Sequence, residues 1–386
     1  MHASLYILSL LFGVAGALTP QQKLQNAVGM GEILAVCGEG SDLTITTKVL
    51  QRLAKILQPL ERRAALQQDL DDQAAQLDHV ISTVCSAVRS SAADGREITQ
   101  AHLGIDAVRA LGSMAPLPSS LPSHTTAGLQ QLVTDLEAVD LTSAAASQLH
   151  WAAACLGLHT GLQLEARVGK LPFRVHPGLV ADLTDTSLKS FITVDDLASE
   201  VDFQADVVVT ASKQRVPERR LTAWQAREGV GGFAYSGKVM ESRPFSPGVL
   251  RIRDEIHRRL GLDFDCVLLN LYPDGDSGMR YHSDPDQGVL WDRDTAVVSV
   301  GESRRFCFRP ISSGGSDGGK AATGGAGASA SSGDSHTFLV KSGDVVHMFG
   351  DCQDQYQHCV KKGDRRGKGS QSLGPRVSLV FKSSLR

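Results

Sequence analysis

What most limits the fold of this chain is a change of apolar period near residue 171. Up to about residue 160 the apolar residues recur at helical spacing; beyond 171 they come as short β-branched or aromatic runs cut by Gly, Pro and Asp. A chain that changes period once, midway, builds helices first and a sheet afterwards. The expectation is an α+β protein, with an all-α helical region over 23–170 and a domain of many short strands, a sandwich or barrel, over 171–386. The 386 residues and 42% apolar content supply enough material for two cores.

Three segments of the helical region open alike: DLTITTKVLQRLAKIL from Asp42, EITQAHLGIDAVRALG from Glu97 and DLTSAAASQLHWAAACLG from Asp140. Each places an acid and a Thr where an N-cap and a first turn gain from the helix dipole. Upstream of them lie MGEILAVC, LDHVISTVC and LQQLVTDL, so the unit reads as a helical hairpin. The spacings of 55 and 43 residues are irregular, which leaves a short α-solenoid-like array and an ordinary helical bundle both open. The phrases loosely resemble the helical repeats of organellar RNA-binding proteins, which would make the region an RNA- or protein-contact surface. Residues 23–160 carry a net charge of −5, which runs against wrapping RNA, whereas residues 213–386 carry +6, the sign that suits a polyanion.

Residues 1–22, MHASLYILSLLFGVAGALTPQQ, hold an apolar run from Leu5 to Ala17 that is too short to span a bilayer and ends in Ala15-Gly16-Ala17. That is the form of a targeting segment, a signal peptide or an organelle presequence, with a buried helix as the plainer alternative; without targeting, a nuclear or cytoplasmic location is expected. No other stretch reads as a membrane span. The seven cysteines are scattered and form no Cys-x-x-Cys, so neither a disulfide framework nor a zinc ribbon is expected. Residues 312–335, SSGGSDGGKAATGGAGASASSGDS, read as a disordered hairpin loop between two strands, without chemistry.

The chemistry concentrates after NLYPDGDSGMRYHSDPD, residues 270–286, which holds the single His-x-Asp of the chain, His282 and Asp284. With 12 His and 30 Asp, composition alone would supply about one such pair. Side chains at i and i+2 of a strand share a face, so the two can point at one ion, and a further histidine would complete the two-His, one-carboxylate set that suits Fe(II) with positions left open. His358, in DQYQHCVKK, is the candidate for that third ligand. Beyond it, in PRVSLVFK, Arg376, Ser378 and Lys382 share one strand face, and a guanidinium beside a hydroxyl suits a bidentate carboxylate. A metal that takes two atoms from an α-keto acid, with a cation on the far carboxylate, is the layout of a 2-oxoglutarate oxygenase.

Taken in order, VPERRLTAWQAREGVGGFAYSG (216–237), FSPGVLRIRDEIHRRLGLDFDCVLLNLYPDGDSGMRYHSDPD, TAVVSVGESRRFCFR, SGDVVHMFGDCQDQYQHCV and PRVSLVFK resemble the AlkB family of Fe(II)/2-oxoglutarate dioxygenases, in its nucleic-acid dealkylating branch. The resemblance implies a double-stranded β-helix (jelly roll), Fe(II) at His282, Asp284 and His358, and 2-oxoglutarate at Asn270, Tyr272, Arg376, Ser378 and Lys382, with O2 as the second cosubstrate. It also implies a base-gripping lid at FAYSG, where Phe233, Tyr235 and Ser236 would meet a substrate base, and an acid near the substrate at Asp286. For Phe233 and Tyr235 a place among core aromatics of a strand edge is the structural alternative.

The final strand departs from the family pattern, with Ser378, Val380 and Lys382 where Asn, Thr and Arg are usual, and Lys382 keeps the charge without the planar fork. Three functions follow. The first is oxidative demethylation of alkylated bases in DNA or RNA. The second is hydroxylation of a protein or small molecule on the same fold. The third is a binding module that has lost catalysis.

Overall fold

The computed structural model describes residues 18–385 apart from 28, 38–40, 59, 94–96, 185–191, 206, 210–213, 236–237, 312–334 and 364–372. The apolar run of the expected targeting segment, most of the Gly/Ser-rich insertion and Ser236 therefore lie outside the described residues. Among the described residues no helix is long and apolar enough to cross a membrane.

The three similar phrases head three helices: α3 (Leu43–Ile56), α6 (Glu97–Met114) and α8 (Ser143–Cys155). Asp42 caps α3 by accepting from the Ile45 N–H at 2.8 Å. At α8 the cap is Thr142 rather than the acid Asp140: its hydroxyl accepts from Ala145 N–H at 3.2 Å. The upstream phrases form α2 (Met30–Leu34), α5 (Ala74–Ala93) and α7 (Ser123–Glu137). Helices α3, α6 and α8 pack side by side, and α2, α5 and α7 make a second layer, so the hairpins stack as a short two-layer array. At the α6–α8 crossing Gly112 is required, because a Cβ there would lie 2.9 Å from Ala152 Cα.

The second half forms two main antiparallel sheets, with two small hairpins beside them, β2 (Val207–Val209) with β3 (Arg215–Pro217) and β5 (Phe233–Tyr235) with β6 (Lys238–Met240). The larger runs β1 (Phe173–His176), β12 (Val345–Met348), β9 (Trp291–Gly301), β14 (Arg376–Ser384), β7 (Cys266–Tyr272) and β4 (Leu221–Ala226). The smaller runs β11 (His336–Val340), β10 (Arg304–Pro310), β13 (Tyr356–Val360) and β8 (Met279–His282). Alternation decides the faces. On β10, Phe306 and Phe308 are buried toward the larger sheet, and the ring of Phe308 stacks on Phe173 of β1 at 3.9 Å, joining the two sheets. This is the jelly-roll double-stranded β-helix that the resemblance implies.

The helical array closes the open side of this sandwich. Helix α8 packs along the edges of β11 and β1. Trp151 meets Phe338 edge-on at 6.1 Å, and Ser147 Oγ lies 2.8 Å from His336 Nδ1. Lys341, just after β11, donates to the carbonyls of Gly112 and Ala115 at the end of α6, at 2.9 and 2.8 Å. One buried apolar cluster consequently runs from Leu24 in the helices to Val360 in the sheet. The change of period at residue 171 marks where strands begin, but no break in the core.

A shared core has a measurable consequence. Replacing the fully buried Trp151 by Ala should cost about 3–5 kcal/mol and lower a single unfolding transition seen alike by helix and sheet signals in circular dichroism. A sheet signal that melts unchanged in this variant would mark two independent units.

Candidate active site

The candidate ligands come together at one end of the cleft between the sheets. His282 ends β8, His358 lies directly across from it on β13, and their rings are 4.3 Å apart. The Nε2 atoms of His282 and His358 lie 3.6 and 3.7 Å from Asp284 Oδ1. One ligand atom from each of the three falls within 4.8 Å of the others, the only such cluster among the described residues. The geometry differs in one respect from the strand argument, because β8 stops at His282 and Asp284 follows it outside the strand. Its position is set instead by its backbone N–H, which donates to Gln353 Oε1 at 2.9 Å from the short helix Cys352–Gln355.

The surroundings of Asp284 and His358 favour their ligand forms, and a hydrogen bond orients His282. His282 Nδ1 donates to the Arg280 carbonyl at 2.9 Å, which fixes the tautomer with the lone pair on Nε2, toward Asp284. Burial, with His282 and Lys382 nearby, draws the His358 imidazole down to about 3, so it stays neutral. Burial alone would raise the Asp284 carboxyl, but the Lys382 ammonium outweighs it and holds it well below the usual carboxylate range. Lys382 Nζ sits 2.7 Å from Asp284 Oδ2. The lysine placed with the cosubstrate group on sequence thus grips the carboxylate of the cluster; it lines the cleft, but its charge is already paired.

The other positions lie deeper. Register places Ser378 of β14 between Asn270 of β7 and Ser299 of β9, and Arg376 between Tyr272 and Gly301. Gly301 turns with φ 92°, and a Cβ there would lie 2.7 Å from the Pro375 carbonyl, so a glycine is what lets β14 begin where Arg376 is buried. Arg376 is 0% exposed and stacks 5.5 Å from the Tyr272 ring. Its Nη2 donates to Ser299 Oγ at 2.8 Å, whereas Nε and Nη1 have no partner, nor has the buried Oδ1 of Asn270. Burial, offset in part by Tyr272 and aggravated by Arg304, brings this guanidinium down to about 10. A buried guanidinium with two unused donors beside Tyr272, Asn270 and Ser378 fits a dicarboxylate such as 2-oxoglutarate.

The substrate candidates divide. Phe233 lines the cleft and is also packed into an aromatic cluster, 4.7 Å from Trp224 and 5.8 Å from Trp291, so the lid and core readings meet in one residue. Tyr235 ends the short strand Phe233–Tyr235. Asp286 is exposed, with φ 62°, and is not among the residues lining the cleft; its carbonyl accepts from the N–H groups of Val289, Leu290 and Trp291 and closes a turn.

Several residues that shape the site carry no local sequence signal. Phe306 stacks parallel on His358 at 5.6 Å; Arg220, paired with Glu218 at 2.6 Å, and Met279 line the cleft; Gln353 holds Asp284 from another element. Arg304 is almost wholly buried and is held by the carbonyls of Ser303, Asp274 and Gly374. Of the other strand histidines, His336 is engaged with Ser147 and His347 with Asp294 at 2.7 Å, while the buried Nε2 of His176 on β1 has no hydrogen-bond partner.

Residues 184–382 match the model of the 2OG-Fe(II) oxygenase superfamily. The chain is 30% identical over 189 residues to protein R406 of Acanthamoeba polyphaga mimivirus, across 49% of this chain and 85% of that one. It is 36% identical over 87 residues to the human DNA oxidative demethylase ALKBH2, across 22% of this chain and 33% of that one, and 32% identical over 91 residues to the bovine alpha-ketoglutarate-dependent dioxygenase alkB homolog 3, across 23% and 31%. The chain thus spans most of R406 but only about a third of these two AlkB homologues. It belongs to the 2OG-Fe(II) oxygenase superfamily, and its partial similarity to the AlkB homologues agrees with the AlkB resemblance of the sequence. It is a 2-oxoglutarate-dependent dioxygenase and uses Fe(II), 2-oxoglutarate and O2.

Two outcomes test the assignment of residues. His282→Ala should abolish binding of Fe(II), measured by calorimetry without oxygen, with little loss of stability. Asp284→Ala should also lose the metal but cost about 3–5 kcal/mol, because Lys382 is left buried and unpaired; full metal binding in both variants would refute the ligand set. Arg376→Ala removes charged hydrogen bonds worth about 1.5–3 kcal/mol, so the Kd for 2-oxoglutarate should rise about 10- to 150-fold, and an unchanged Kd would contradict the role.

Proposed function

We propose that this dioxygenase removes N-linked alkyl groups oxidatively from bases of DNA or RNA. The observation that carries the reading is the apolar part of the cleft lining, where Phe233 is packed against Trp224 and Trp291 and lines the same cleft as Leu268, Val380 and the ligand cluster. A flat, apolar surface beside the reacting centre suits a planar base taken out of its stack. The net charge of +6 over residues 213–386 and the demethylase named among the relatives support the same reading.

In this reading His282, Asp284 and His358 hold the iron, and Arg376, Tyr272, Asn270 and Ser378 hold 2-oxoglutarate. The iron with its cosubstrates supplies oxidation of a C–H bond, in which an N-methyl group leaves as formaldehyde while 2-oxoglutarate and O2 become succinate and CO2. The chain contributes position. Lys382 occupies Asp284 Oδ2 and leaves Oδ1 toward the two imidazoles. Arg376 does not itself line the cleft but stands beside Tyr272, which does, and its unused donors would draw a carboxylate inward, while the apolar lining of Phe233, Leu268, Met279 and Val380 keeps water from the reacting carbon.

Single- and double-stranded DNA and RNA oligonucleotides, each with one methylated base, are to be incubated with protein, Fe(II) and 2-oxoglutarate and read by mass. The expected result is loss of one methyl group with equimolar formaldehyde and succinate, absent in His282→Ala. Hydroxylation of peptides alongside inert oligonucleotides would move the chain to the protein-hydroxylase class.

A further inference from the structure

The face of the smaller sheet that points away from the cleft has a chemistry of its own. On β10 the outward positions are Arg305, Cys307 and Arg309; across β13 they are Gln357 and Cys359, followed by Lys361. On β11 they are Thr337 and Leu339. None of these outward residues is an acid. The cations are gathered rather than spread: the Arg309 guanidinium lies 4.2 Å and the Lys361 ammonium 4.6 Å from the ring centroid of one tyrosine, Tyr281 on β8. Arg309 is also held by Gln357 Oε1, at 2.7 and 3.0 Å.

Two like charges on one ring repel each other, and the π-face only partly offsets this. Toward β11 the face runs into a cleft under the helical array, where Lys55 of α3 stands opposite Arg305; Arg109 and Asp106 of α6 also line it and neutralise each other at 2.7 Å. The helical half is acidic in sum, yet α3 supplies a cation, Lys55, to the cleft.

We infer that this outer face, from Lys361 and Arg309 around Tyr281 to Arg305 and Lys55 of α3, is a track for the phosphates of a nucleic-acid strand. The topology connects it to the reaction. β8 is the edge strand of its sheet, and its neighbouring residues Tyr281 and His282 point to opposite faces, the tyrosine into the track and the histidine into the cleft. A strand whose base enters the cleft has only to turn round that edge to lay its flanking phosphates on Lys361 and Arg309, one and two strand spacings away, about 5 and 10 Å. The choice of nucleic acid as the polyanion rests on the demethylase reading; the track itself rests on the charges.

The test uses the full chain and unmodified, fluorescently labelled oligothymidylate, compared between wild type and Arg309→Gln/Lys361→Gln. Each lost phosphate contact removes about 0.7 from the slope of log K against log salt on single strands. The double variant should therefore lose about 1.4 in slope and bind about 25-fold more weakly at 0.1 M salt, with its affinity for 2-oxoglutarate unchanged. Identical slopes for both proteins would overturn the track, as would competition by polyglutamate equal to that of oligothymidylate at matched charge, which would mark an acidic-protein surface instead. Weakened binding in the variant when no methylated oligonucleotide is turned over by wild type would leave the track and remove the demethylase; turnover by wild type with unchanged binding in the variant would do the reverse.

Discussion

The central strand of the larger sheet carries two buried cations, and the site is built around what neutralises them. Arg376 and Lys382 stand on one face of β14, each almost wholly out of solvent. Burying a charge without a partner costs several kcal/mol, so the fold must offer each an anion. Lys382 has Asp284, and in meeting that need it fixes the carboxylate at the centre of the His282, Asp284 and His358 cluster. Arg376 has the neutral groups of Ser299 and Tyr272 and two donors left over, so a counter-ion from outside the chain would complete it. The cosubstrate of this family is a dicarboxylate, and the same buried guanidinium accounts for both a conformational cost in the empty protein and a recognition element in the loaded one.

Around that strand the two sheets divide the work. The larger sheet supplies the floor with β7, β9 and β14 in register; the smaller supplies both imidazoles, from β8 and β13, against the rings of Phe306 and Phe308. The helical array closes the sandwich along β1 and β11, so that Trp151, Phe338 and Phe173 belong to one core. It also overhangs the outward face of the smaller sheet, which makes the helices part of whatever surface that face presents.

Much was legible in the sequence. Helical spacing and the Asp42 phrase gave α3 with its cap, because capping is local. The period of two on PRVSLVFK put Arg376, Ser378 and Lys382 on one face, because alternation is a property of any strand. His282, Asp284 and His358 were found by type and order, and they do converge. The strand argument was wrong for Asp284, which lies beyond the end of β8, and the acid at Asp140 gave way to Thr142 as the cap of α8. Asp286, placed near the substrate by resemblance, is exposed and closes a turn.

The sequence by itself determined the element types, the parity of side chains along each strand and the set of groups that can bind a metal, since these follow from interactions within a few residues. Tertiary structure alone decided that Lys382 grips Asp284 across 98 residues, that Gln353 positions the same carboxylate from a different element, that Phe233 is both core and cleft wall, and that helices and sheet share one core. Each of these depends on which strand lies beside which and on which face a neighbouring element covers. Pairing between distant segments is set by the sum of many weak contacts over the whole chain, and no short stretch of residues carries that sum.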